Sequence, residues 1–253
     1  MELELWQFAV LFAAAFFGGF IDSIAGGGGL ISLPALLAVG VPPHVAIATN
    51  RFQGSFGSFT AALNFIRKGY VDAAEILRGV IFTFVGGLVG AYVLLLIDAK
   101  FLNYLIPILL LALLFYMIFS PNLGEAPAKP KMSKKSFYAI FGLVLGFYDG
   151  FFGPGTGSFW TFALVGILGL YMKKAVAHTK VLNFTSNIVS LGVFIIGGQI
   201  LWLVGAVMAV GQIAGSFAGS SLVMRYDVKF VRKMLLLVVA ATILKLLYGL
   251  IAN

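Results

Sequence analysis

An acid followed by a run of glycines, set inside apolar sequence, occurs twice in this chain, and that repetition limits the fold more than any other feature. The first copy is Gly19-Phe20-Ile21-Asp22 with Gly26-Gly27-Gly28-Gly29. The second, 127 residues later, is Gly146-Phe147-Tyr148-Asp149 with Gly153-Pro154-Gly155-Thr156-Gly157. A glycine run does not continue a stable helix, and an acid in apolar surroundings is costly. Their recurrence at matching places predicts duplicated broken helices in a membrane, an arrangement that transporters use.

Composition points the same way. Hydrophobic residues make up 61% of the chain and charged residues 10%, against about 45–50% and about 25% in soluble domains. The net charge of +8 comes from basic residues scattered at segment ends, with no stripe of the kind that binds nucleic acid. There is no cysteine, hence no disulfide framework and no thiol chemistry. The first residues lack the positive region of a signal peptide, so residues 5–21 are expected to stay as a membrane segment.

Ten apolar segments can be read along the chain: 5–22, 29–41, 44–66, 74–97 and 101–119, then 136–152, 157–172, 175–197, 200–223 and 229–251. A spanning helix needs roughly 20 apolar residues, so the shorter second segment of each set is predicted to be a half-helix. The Pro- and Lys-rich stretch 120–135 separates the sets. The predicted organisation is a first transmembrane repeat over 1–119, a cytoplasmic linker over 120–135 and a second repeat over 136–253. A shift to an offset of 129 brings Arg51 onto Lys180, Gly86 and Gly90 onto Gly215 and Gly219, and Asp98 onto Asp227.

Charge sets the orientation. An odd number of crossings per half makes the second half run opposite to the first. With the linker in the cytoplasm, Arg67, Lys68, Arg78, Lys129, Lys131, Lys134, Lys135, Lys173, Lys174, Arg225, Lys229, Arg232 and Lys233 lie inside, and only Lys100 lies clearly outside. Both termini are then extracytoplasmic. The predicted fold is an all-α, multi-pass integral protein of the cell membrane: two inverted-topology repeats of about five helical segments, with about eight to ten membrane segments in all.

The first motif with Pro34 and Ala46-Ile47-Ala48-Thr49-Asn50-Arg51, and the weaker second copy with His178-Thr179-Lys180, resemble the sulfite exporter TauE/SafE family of membrane permeases over nearly the whole chain. The resemblance implies a small transporter of two repeats, usually counted as about eight spans. Its cargo would be sulfur-containing anions such as sulfite or organosulfonates, with export as the expected direction. Members differ in substrate and direction.

The residues give a separate reason for an anion to bind. A helix that restarts after a break directs backbone N–H groups and the positive end of its dipole into the gap. The expected substrate contacts are Gly26, Gly27, Gly28, Gly29, Asn50 and Arg51 from the first half. From the second half they are Gly153, Gly155, Thr156, Gly157, Thr179 and Lys180. Ser23, Ser32 and Ser158 are further neutral donors. Gly86, Gly90, Gly215 and Gly219 read as helix-packing positions, His178 reads at least as well as a ring bonded to a neighbouring helix as it does as a proton-transfer group, and Lys245 reads as a snorkelling lysine. Three roles stay open for Asp22 and Asp149: pairing with Arg51 and Lys180, capping the half-helices, or taking a coupling proton.

No catalytic or metal motif is present, so no enzyme and no cofactor is expected. The expected partners are a small anion, the lipid bilayer and a coupling proton or other ion. A passive anion channel, or an intramembrane enzyme using the two aspartates, are the alternatives.

Overall fold

The computed structural model describes residues 3–98, 100–102, 104–106, 108–109, 112 and 129–225. Most of the expected fifth segment and linker lie outside the described residues. So do the last segment with Asp227, Lys229, Arg232, Lys233 and Lys245, and both termini. Among the described residues the secondary structure is helical, without strands. The bounded helices are α1 (Leu5–Ala25), α2 (Gly29–Ala38), α3 (Pro43–Arg67) and α4 (Ala73–Leu96), then α5 (Lys134–Phe151), α6 (Thr156–Gly166), α7 (Met172–Ile196) and α8 (Trp202–Arg225).

Local chemistry sets these limits. Glu4 and Gln7 form a capping box at the start of α1, Asp72 accepts from Ala74 and Glu75 N–H at the start of α4, and Ser133 accepts from Ser136 N–H at the start of α5. Prolines 42 and 43 open α3, where a missing N–H does no harm. Helices α2 and α6 have 10 and 11 residues, about 15–17 Å at 1.5 Å per residue, half of a bilayer core of about 30 Å. Among the described residues four helices are long and apolar enough to cross a membrane: α1, α4, α7 and α8. Their outer faces carry exposed Phe17, Ile81, Leu88 and Phe217, a surface suited to lipid and not to water. Helix α3 has 25 residues, but its hydropathy is lowered by an inward row that includes Arg51, Gln53, Ser55 and Ser58.

Helix α1 packs along α8 and α4 along α5, with α3 and α7 between the two pairs. Glycines make the close approaches. Gly211, Gly215 and Gly219 of α8 face the carbonyls of Phe12, Phe16 and Phe20, while Gly86 and Gly90 of α4 face those of Leu143 and Phe147. A Cβ at any of these glycines would strike backbone, as the small-residue reading required. Because the contacts ascend together, α1 runs parallel to α8, and α4 parallel to α5.

Several helix ends meet at one basic end. Glu75 in the first turn of α4 pairs with Lys134 at 2.9 Å and Lys174 at 2.7 Å, the starts of α5 and α7. Lys173 donates to the Met224 carbonyl at 3.2 Å and Asn64 to the Ser220 hydroxyl at 2.8 Å, which brings the ends of α8 and α3 to the same place. Helices α1, α3 and α8 therefore run toward this end, and α4, α5 and α7 away from it. At the other end, Asp98 accepts from Lys100 N–H at 2.7 Å, a contact of the capping kind.

Candidate functional site

Each first helix of a half stops where glycine allows a left-handed backbone. Gly26 (φ 82°) closes α1 and donates to the Asp22 carbonyl at 2.8 Å; Gly153 (φ 95°) and Gly155 (φ 80°) carry the chain from α5 into α6. The two breaks touch: a Cβ on Gly157 would stand 2.5 Å from Gly26 Cα, and one on Gly29 3.0 Å from Pro154 Cα. The starts of α2 and α6 are thus brought together, as the duplicated motif predicts.

Two cations reach this junction, each paired with the acid of the opposite half. Arg51 Nη1 donates to Asp149 Oδ1 at 2.7 Å and to Asn187 Oδ1 at 3.0 Å. Lys180 Nζ donates to Asp22 Oδ2 at 2.8 Å and to the Asp22 carbonyl. The remaining Asp149 oxygen accepts from the Ser186 hydroxyl, and that of Asp22 lies 3.4 Å from Gly28 N. Of the three roles open for the acids, both adopt ion pairing, and Asp22 adds a long contact of the capping kind. Asp149 is buried; the Asp22 side chain keeps 24% of its surface open.

Between the breaks lies a cavity of about 50 Å³ for the centres of water-sized molecules. Of the expected residues, Gly28, Gly29, Asn50, Arg51, Gly153, Gly155 and Gly157 line it with both acids. Five stand behind the wall. Gly26 packs on Gly157, the Gly27 carbonyl accepts from Leu30 N–H, and the Thr156 hydroxyl donates to the Gly153 carbonyl at 2.6 Å. Thr179 shares a hydrogen bond with Thr161 at 3.2 Å, and Lys180 is held by Asp22. Ser32 lines the cavity and donates to Asn50 Oδ1 at 2.7 Å. His178 lies elsewhere, its Nδ1 3.1 Å from the Tyr138 hydroxyl, a bond to a neighbouring helix.

The wall also contains Ser58, Asn187 and Gln212, which the sequence reading did not single out. The offset of 129 places Ser58 on Asn187 and Gly54 on Asn183, so extending the repeat alignment along α3 and α7 finds them. For Gln212 the signal was a lone amide within an apolar segment. Its side chain sits against Gly19 and Gly57, where a Cβ on Gly57 would fall 2.6 Å from Gln212 Oε1.

Four buried polar atoms on the wall have no partner among the described residues: Arg51 Nε and Nη2, Gln53 Oε1 and Asn183 Oδ1. Buried polar groups are nearly always hydrogen-bonded. The arginine is only 3% exposed, and its two unmatched donors find no acceptor among the described residues.

Known proteins are similar to this sequence. Residues 11–246 match the family described as "Sulfite exporter TauE/SafE". A "Probable membrane transporter protein" of Haemophilus influenzae is 42% identical over 98% of this chain and 97% of its own length. "Probable membrane transporter protein YfcA" of Escherichia coli K12 is 44% identical over 94% of this chain and 89% of its own. "Probable membrane transporter protein ORF9" of a Sinorhizobium species is 40% identical, over 97% and 94%. No solved structure matches the chain. With a match that runs through both glycine breaks and nearly full-length relatives, the chain belongs to the sulfite exporter TauE/SafE family of membrane transporters.

Proposed function

We propose that this protein is a secondary transporter that exports small sulfur-containing oxyanions such as sulfite, by alternating access of two inverted repeats. The observation that carries the reading is Arg51: a buried guanidinium with two unmatched donors on a polar cavity where two helix starts converge. Such donors, fixed in a low-dielectric site, suit an oxyanion better than any neutral or cationic ligand. The family description supports sulfite as the first ion to test.

The running directions of the helices support inverted repeats. Helices α1, α3 and α8 approach the basic end, whereas α5, α7 and α4, which correspond to them at the same offsets, leave it. Each half contributes one acid and one cation, and both ion pairs cross between halves. Rocking of one half against the other would expose the cavity first at one end and then at the other. An aspartate enzyme would bring its carboxylates together to share a proton; here each carboxylate has its own cation.

Reconstitution in liposomes tests the reading. Sulfite should accumulate against its gradient when a driving gradient is supplied, whereas equilibration alone would indicate a channel. Arg51→Gln should abolish accumulation while the protein still inserts. Transport by that variant at the parent's rate would refute the proposed site. The chain has no cysteine, so single-cysteine variants report orientation directly. A cysteine at Lys100 should react with an impermeant reagent from outside, and one at Lys68 only after the membrane is opened.

A further inference from the structure

We infer that the cavity is built for a small monoanion that carries its own hydrogen-bond donor, a protonated oxyanion of the hydrogen sulfite type, and not for a bare dianion or a donor-free sulfonate. The inference rests on the anion-transport reading of the same cavity and narrows its ligand.

The unmatched atoms are of two kinds. Arg51 Nε and Nη2 are donors without an acceptor, whereas Gln53 Oε1 and Asn183 Oδ1 are acceptors without a donor, and all three side chains line the cavity. The Gln53 amide nitrogen is already used, donating to Asn50 Oδ1 at 2.7 Å. A ligand offering only acceptor oxygens would satisfy the arginine and leave the amide oxygens unmet. An unmade hydrogen bond in a buried site carries the full desolvation penalty of the group. A ligand with one O–H meets both needs.

Charge leads to the same ligand. Arg51 is paired with Asp149 and Lys180 with Asp22, so the four charges at the junction sum to zero before any ligand enters. A monoanion then adds one negative charge without a fixed counterpart and a dianion two, in surroundings that screen charge poorly, so the dianion is held less well. Size adds a limit. The cavity of about 50 Å³ compares with roughly 10–15 Å³ for one water by the same measure, room for an ion of a few heavy atoms.

Calorimetric titration of the purified full-length protein with sulfite, methanesulfonate and sulfate tests this, across the pH range in which sulfite takes up its second proton. Hydrogen sulfite should bind about tenfold or more tightly than either other ion. Affinity per total sulfite should fall as the ion loses its proton, while methanesulfonate, whose charge is fixed, gives a flat profile that controls for titration of the protein. Gln53→Met and Asn183→Leu remove the acceptors at similar volume. Each should erase most of the preference for hydrogen sulfite over methanesulfonate, and loss of both affinities in equal measure would overturn the assigned role of these acceptors. Equal binding of the three ions by the parent overturns the inference while the anion reading stands; binding of none of them, by protein that still melts cooperatively, overturns both.

Discussion

Arg51 and Lys180 hold equivalent positions, yet their side chains do different work. The guanidinium can give one nitrogen to Asp149 and Asn187 and still keep two others that have no partner among the described residues. A lysine has one nitrogen, and that of Lys180 is taken by Asp22. Arg51→Lys should therefore keep the pair with Asp149 and most of the melting temperature but lose about tenfold in anion affinity, which thermal denaturation and ligand titration measure side by side. Lys180→Met leaves the Asp22 carboxylate without its partner. We expect a loss of about 1–3 kcal/mol, less than for a fully buried ion because Asp22 is partly open, and recovery of most of it in Lys180→Met with Asp22→Asn. The four charged residues were legible in the sequence because charges are so rare in apolar segments. Which acid meets which cation was not, since both pairs join residues from different halves. No spacing within one half encodes that choice.

Helix limits were legible to within a few residues, and the departures share a physical cause. Helix α7 begins at Met172 and not at 175, and α5 at Lys134 and not at 136. Hydropathy ends a segment at its first lysine, while a helix continues through lysines until a cap stops it. Helix α6 ends at Gly166, short of 172, because the chain turns through Gly169 (φ 70°) with Gly169 N–H on the Val165 carbonyl. Element packing yields a sharper test. Gly90 and Gly219 both lie against a phenylalanine carbonyl of a parallel neighbour, whereas a Cβ on Gly192 would meet nothing within 4 Å. Gly90→Ala and Gly219→Ala should each destabilise by about 1–3 kcal/mol, since the backbones would have to part. Gly192→Ala should be neutral or stabilise by up to about 1 kcal/mol, by restricting the unfolded chain. Melting curves of the three variants in one detergent would show the contrast, and similar losses at all three would contradict the packing described.

At the scale of the molecule, the two halves are not neighbours that merely touch. The first helix of each half lies along the fourth helix of the other. Residues 1–119 made alone should be short-lived, while the same segment made together with residues 120–253 as a separate chain should be recovered as a complex, with cell-fractionation yields as the measure. A stable, monomeric first half would refute the exchange. The same exchange has a consequence for biosynthesis. Phe16 leaves the ribosome long before its glycine partner, Gly215. Through most of synthesis the side of α1 that will meet α8 has only lipid or an insertion chaperone beside it. A chain released early would expose that unfinished seam to membrane quality control, so completion of synthesis and completion of the fold become a single checkpoint.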